Sequence, residues 1–156
     1  MAADSPAQPS PGLPGLSFPG VGAGLAVMRN GKLLLYRRVK APEAGSWNIL
    51  GGKVDHMEPA AQAARREAEE ESALAIGEIG FLCLSEQIIP EDGQHWLSLI
   101  FVTTDFSGEP GMPEPDKFHG FGWFGPDELP APLSRFAADA VTALSERGYF
   151  ARSAAS

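Results

Sequence analysis

The chain of 156 residues is long enough for one domain with a buried core and short for two. Its 44% hydrophobic and 21% charged residues are a globular balance, which excludes fibrous and low-complexity classes. A net charge of −8, from 12 basic and 20 acidic side chains, argues against a nucleic-acid polymer as the main partner, because such surfaces need a basic field.

Residues 1–19 carry Pro6, Pro9, Pro11, Pro14 and Pro19 among Ala, Ser and Gly, and are expected to form a flexible Pro-rich tail. The folded domain is expected over 20–150 and a short C-terminal tail over 151–156. No apolar stretch approaches the roughly 20 residues of a membrane helix, so no membrane partner is expected. The N-terminus lacks a charged start followed by an apolar run, and a single Cys83 cannot form an internal disulfide. A cytoplasmic location is the expectation that follows.

Val21–Met28 and Lys32–Arg38 read as strands joined by Arg29-Asn30-Gly31, since Asn-Gly is a strong hairpin signal. Ala41–Ser46 reads as a loop and Trp47–Leu50 as a short strand entering Gly51-Gly52. Pro59–Ala73 is the clearest helix, rich in Ala and Glu, uninterrupted by glycine, with Pro59 suited to its first position. Ile79–Ile89 and Trp96–Asp105 read as strands around the loop Pro90–Gly93. Phe106–Phe118 reads as a Gly- and Pro-rich loop and Phe121–Phe124 as a short aromatic strand. Leu133–Arg147 reads as a second helix, with Leu133, Phe136, Ala137, Ala140, Val141 and Leu144 on one stripe. This order predicts a mixed α/β fold.

The chemistry concentrates between Gly51 and Leu74. On a helix Glu67, Glu70 and Glu71 stand at i, i+3 and i+4 and share one face. Like charges so placed repel, and Arg66 cannot balance all three. A hard divalent cation can, because Mg²⁺ takes oxygen ligands in an open, partly hydrated sphere. Glu58 favours the positive end of the helix dipole, and Gly51-Gly52 let backbone approach a ligand closely. Clustered glutamates alone are more often a solvated face; the complete spacing changes that balance.

That spacing resembles the Nudix motif: Gly52, five residues, Glu58, seven residues, Arg66-Glu67, then Ala68, Glu69, Glu70-Glu71, Ser72, Ala73 and Leu74. Ala73 stands where the motif has Gly and Ala68 where a larger apolar residue is usual; neither change removes a carboxylate. Trp47 and Gly122-Trp123-Phe124 extend the likeness over roughly Val21 to Arg147. The resemblance implies a Nudix-type α/β/α sandwich with a central mixed sheet and a loop–helix–loop catalytic motif.

It also implies a Mg²⁺-dependent pyrophosphohydrolase, Mn²⁺ being a substitute, acting on a small nucleotide-type substrate as a monomer or homodimer. Glu70 and Glu71 are the implied principal metal ligands, with Glu67 a further ligand or proton acceptor and the Gly51 carbonyl completing the sphere. Arg66 is expected to orient a carboxylate, Gly52 and Glu58 to set the motif's geometry, and Glu69 to be dispensable. Weaker substrate-binding candidates are Arg37 and Arg38 for phosphate, and His95, Trp96 and Phe118 for a base. Glu91 and Asp92 read as turn residues, and His56, His95 and His119 lack zinc-ligand spacing. A nucleoside triphosphate cut to monophosphate and pyrophosphate is the first expectation. ADP-ribose or a nucleotide sugar is the second, and a non-catalytic nucleotide-binding module is the third.

Overall fold

The computed structural model describes residues 12–150; the rest of the two expected tails, 1–11 and 151–156, lies outside the described residues. Nine strands and two α-helices follow in the order β1 (Gly20–Arg29), β2 (Lys32–Arg38), β3 (Trp47–Asn48), β4 (Leu50–Lys53), α1 (Ala60–Ser72), β5 (Ala75–Ile76), β6 (Gly80–Ile89), β7 (Gln94–Thr103), β8 (Phe106–Ser107), β9 (Phe118–Phe124) and α2 (Arg135–Glu146). A 3₁₀ turn over Pro90–Asp92 separates β6 from β7, ending on the left-handed Gly93.

A seven-stranded sheet runs β3-β2-β1-β7-β6, with β4 also paired to β1 and β9 to β2. β1 and β7 are parallel and the other pairings antiparallel, so the sheet is mixed, as the sequence predicts. β5 and β8 form a separate two-stranded ribbon. The expected strand Trp47–Leu50 divides: β3 pairs with β2, and β4 begins at Leu50 and pairs with β1. Beyond the Asn30-Gly31 hairpin, β1 leaves β2 and takes up β4, which brings Gly51 and Gly52 into mid-sheet.

Side-chain alternation builds two layers. In β1, Ala23, Leu25 and Val27 join the core under α1, and Ala26 and Met28 the core under α2. The first holds Ala63, Ala64 and Ala68; the second holds Ala137, Ala140, Ala143 and Leu144. A helix on each face accounts for the near-continuous apolar run of β1. Each fully buried leucine contributes roughly 1.5–3 kcal/mol. Ser134 caps α2 by accepting from the Ala137 N–H at 3.0 Å. Among the described residues, no helix is long and apolar enough to cross a membrane.

Residues 12–18, assigned above to the tail, form a turn instead. The Gly15 N–H donates to the Phe18 carbonyl at 2.8 Å, and the Gly15 carbonyl accepts from the His95 N–H at 2.9 Å. The turn has an apolar seat that composition did not reveal: the indole of Trp96, against which Gly15 packs.

Candidate active site

α1 lies across β1 and β4, so its inner face meets the glycine pair. A Cβ at Gly52 would come within 2.4–2.7 Å of the three carboxyl atoms of Glu67, so only hydrogen fits there. One turn along, Glu71 Oε1 accepts from the Gly51 N–H at 2.8 Å. Glu71 is 5% exposed. Burial pushes its carboxyl up to about 8, against the Gly51 hydrogen bond and with help from the charge of Glu67. Glu67 is also raised by burial, with Arg66 opposing.

Arg66 organises the outer part of the motif. Its Nε donates to Glu58 Oε2 at 2.8 Å and its Nη2 to Glu58 Oε1 at 3.0 Å, a bidentate pair. Its Nη1 donates to Glu67 Oε1 at 3.0 Å and to Glu70 Oε2 at 3.4 Å. Hydrogen bonds from Arg66 and from the Asp55 N–H hold the Glu58 carboxyl down at about 2. Glu58 therefore serves the geometry of the arginine rather than the cleft.

Two adjoining cavities form the cleft. One, of about 330 Å³, is lined by Glu67 and Glu71 together with Arg38, Lys40, Lys117 and Phe118. The other, of about 200 Å³, is lined among others by Trp96, Phe136, Ile89, Asn48 and Gln94. Arg38, Gly51 and Gly52 border both. An acidic and basic chamber thus opens beside an apolar one rimmed by amides.

The weaker candidates separate. Arg38 enters the cleft, whereas Arg37, on the opposite side of β2, is exposed and donates to the Gly45 carbonyl at 3.1 Å. Trp96 lines the apolar cavity and buried Phe118 the charged one. His95 lines neither, and pairs with Glu86 at 2.9 Å. Glu70 stands 52% exposed at the edge, outside the lining of either cavity. Glu91 and Asp92 act within the fold, Glu91 with Arg135 at 2.9 Å and Asp92 accepting from the Glu43 N–H at 2.9 Å. Glu69, expected to be dispensable, lines neither cavity, and its Oε2 accepts from the Ile76 N–H at 3.1 Å, tying β5 to the helix.

Lys40, Lys117, Asn48 and Gln94 were not singled out from sequence, and Phe136 was read only as part of the apolar stripe of α2. Lys117 lies in an aperiodic loop, and the one available signal for Asn48 was a polar residue between the apolar Trp47 and Ile49.

Among the described residues, no three His, Cys, Asp or Glu side chains are gathered into a ready metal cage. The donor set still fits a hard cation, since Mg²⁺ needs only one or two carboxylates beside water and phosphate. Glu67, Glu71 and the Gly51 carbonyl offer oxygen alone. The buried Glu71 gains no ion-pair partner, and Glu114 Oε1, whose charge also raises Glu71, is buried without a hydrogen-bond partner among the described residues.

The family model described as the NUDIX domain matches residues 19–144. The crystal structure of a MutT NUDIX hydrolase from Burkholderia pseudomallei is 41% identical, with a TM-score of 0.79 over 82% of this chain and 99% of that one. An oxidized purine nucleoside triphosphate hydrolase from Danio rerio is 36% identical over 67% of this chain, and the match spans 65% of that relative's length. An RNA pyrophosphohydrolase from Erythrobacter litoralis (strain HTCC2594) is 25% identical over 74% of this chain and 81% of its own.

Proposed function

The chain belongs to the Nudix family, and from that premise we propose that it is a Mg²⁺-dependent pyrophosphohydrolase converting a nucleoside triphosphate to a monophosphate and pyrophosphate. The observation that carries this reading is the buried Glu71 beside Glu67 in a chamber that also holds Arg38, Lys40 and Lys117. Carboxylates there suit a divalent cation, and the cations suit phosphate oxygens. The name of the Danio rerio relative, a nucleoside triphosphate hydrolase, supports the choice of a triphosphate as substrate.

Glu71 and the Gly51 carbonyl would hold Mg²⁺, with Glu70, at the exposed edge of the same helix face, as a further ligand. When bound, the ion supplies charge neutralisation on the phosphates and lowers the pKa of water for attack on phosphorus. Glu67, which lines the same chamber as Glu71, would accept the proton that water loses. Arg66 fixes Glu67 for that task through its Nη1. Arg38 and Lys117 would orient the phosphate chain as the phosphorus–oxygen bond breaks and the departing oxygen leaves with pyrophosphate.

A panel of triphosphates, ADP-ribose, nucleotide sugars and dinucleoside polyphosphates tests this, with products resolved by ion-exchange chromatography. Triphosphates are expected to yield monophosphate and pyrophosphate with Mg²⁺ and nothing after chelation. Glu71→Gln is expected to lower turnover by a factor of about 100 or more, of the order seen for charge-stabilising groups. Turnover confined to ADP-ribose or nucleotide sugars would overturn the substrate. Tight nucleotide binding without turnover would make the chain a non-catalytic binding module.

A further inference from the structure

We infer that, whatever its substrate, the chain forms a symmetric homodimer, two copies meeting through the uncovered face of β6 and β7. α1 lies over β1 and β4, which leaves the same side of the sheet open toward the β6 edge. Alternation and register gather Val21, Phe81, Leu84, Ile88 and Leu97 on that side. Val21 pairs with Leu97, and Leu84, Phe81 and Ile88 stand opposite Leu99, Phe101 and His95. Each of the five is between 38% and 58% exposed. Beyond Ile88 the patch continues onto the turn at 12–18, whose Leu16 and Phe18 share a cavity of about 350 Å³ with Ile88 and His95.

Seven of the ten large apolar side chains exposed among the described residues thus fall on one continuous surface. Taking roughly 150–250 Å² for a large side chain left fully in water, the seven expose on the order of 700 Å². The largest apolar patch on an ordinary monomer is about 300–600 Å². A stable dimer takes about 800 Å² from each partner, which this patch nearly supplies before any polar rim is added.

Charge selects the occupant. β6 and β7, of 10 residues each, carry Glu86 as their one carboxylate and no Lys or Arg. Glu86 is bonded to His95 at 2.9 Å, so it is partnered within its own copy. Two copies of a chain with net charge −8 repel wherever unpartnered carboxylates meet, and this face lets them touch without that cost. A basic partner would find little here to attract it. Few charges around an aromatic and aliphatic centre is the composition of interface cores. A two-fold contact needs a patch that complements itself, which an apolar surface does. β6 is also an edge of the sheet and has neither Lys nor Pro to blunt it. Arg147 Nη1 donates to the Phe81 and Leu82 carbonyls at 2.9 and 3.1 Å, which obstructs strand pairing at that end, so the copies meet face to face.

Sedimentation equilibrium of the full chain is the test. Contacts of this size hold at about micromolar or tighter, so at ~100 µM the wild type is expected at twice the 16.5 kDa of one chain. Leu84→Lys and Leu97→Lys are each expected to raise the dissociation constant by about tenfold or more, the scale of losing one anchor residue. Both side chains are exposed, and Leu97→Lys serves if Leu84→Lys fails to fold by its thermal melt. Thr142→Lys adds the same charge at an exposed position of α2, across the sheet, and is expected to leave the mass unchanged. A wild type that stays at 16.5 kDa would overturn the inference, as would a dimer that the folded variants preserve or that Thr142→Lys weakens equally. A monomer that binds phosphatidylcholine vesicles, and loses them with Leu84→Lys, would give the face to a bilayer and overturn it too.

Discussion

Glu71 governs the pH response expected of the metal-free chain. Its ordinary value of 4.5 is raised by burial to about 8 in the fold, so between those limits the folded state keeps a proton that the unfolded chain has lost. Stability from this group is therefore complete below about 4.5 and is lost as pH rises toward about 8. The unfolding free energy of the chelated protein, read by urea titration, is expected to fall across that window by at most about 1.4 kcal/mol per pH unit for one proton. Glu71→Gln should flatten the profile, and a slope that survives the substitution would assign it to another group. The carboxylate itself was legible in the spacing Gly52, Glu58, Arg66-Glu67, Glu70-Glu71. Its burial, and the retreat of Glu70 to the edge, were not, because both depend on how closely α1 approaches the glycine pair.

Helix α1 shows how an element carries two departures from its family's pattern. Ala68 is completely buried, with Ala63 and Ala64, so the helix seats on three short side chains. That close seating is what lets the carboxyl of Glu67 lie against Gly52. A larger residue at 68 would crowd a filled core, which commonly costs about 1–3 kcal/mol. Ala73 ends the helix at φ 65°, in the left-handed region, with its N–H donating to the Glu69 carbonyl at 2.9 Å. Alanine there carries strain of about 1 kcal/mol relative to glycine. Ala73→Gly is accordingly expected to raise unfolding stability by about 1 kcal/mol in a denaturant titration without changing the fold. No gain would mean that the backbone at 73 relaxes in solution. Helix start and stop were readable within a residue or two, with Pro59 capping α1 rather than opening it.

At the scale of the molecule, the apolar cavity depends on a segment remote from the motif. The turn at 12–18 backs the indole of Trp96, and a Cβ on Gly15 would come within 2.3 Å of that ring. Gly45 offers a control: its φ of 84° matches the 82° of Gly15, but a Cβ there meets nothing within 4 Å. Gly15→Ala and Gly45→Ala share the cost of the left-handed backbone, roughly 1–2 kcal/mol. Only Gly15→Ala is expected also to weaken nucleotide binding, by displacing Trp96. Equal nucleotide affinities in the two variants would show that the turn does not hold that wall.

The local order of residues was enough to determine the mixed α/β class, the hairpin at Asn30-Gly31, both helices and the acidic motif, because each follows from periodicity or spacing within one segment. It could not determine that Arg38 rather than Arg37 enters the cleft, that Lys40 and Lys117 join it, or that Asn48 and Gln94 line the apolar cavity with their oxygens already bonded within the protein. Those outcomes belong to the tertiary structure, for a physical reason: the facing of a strand residue and the orientation of an amide are set by partners distant in the chain, such as Ser134 for Asn48, 86 residues away.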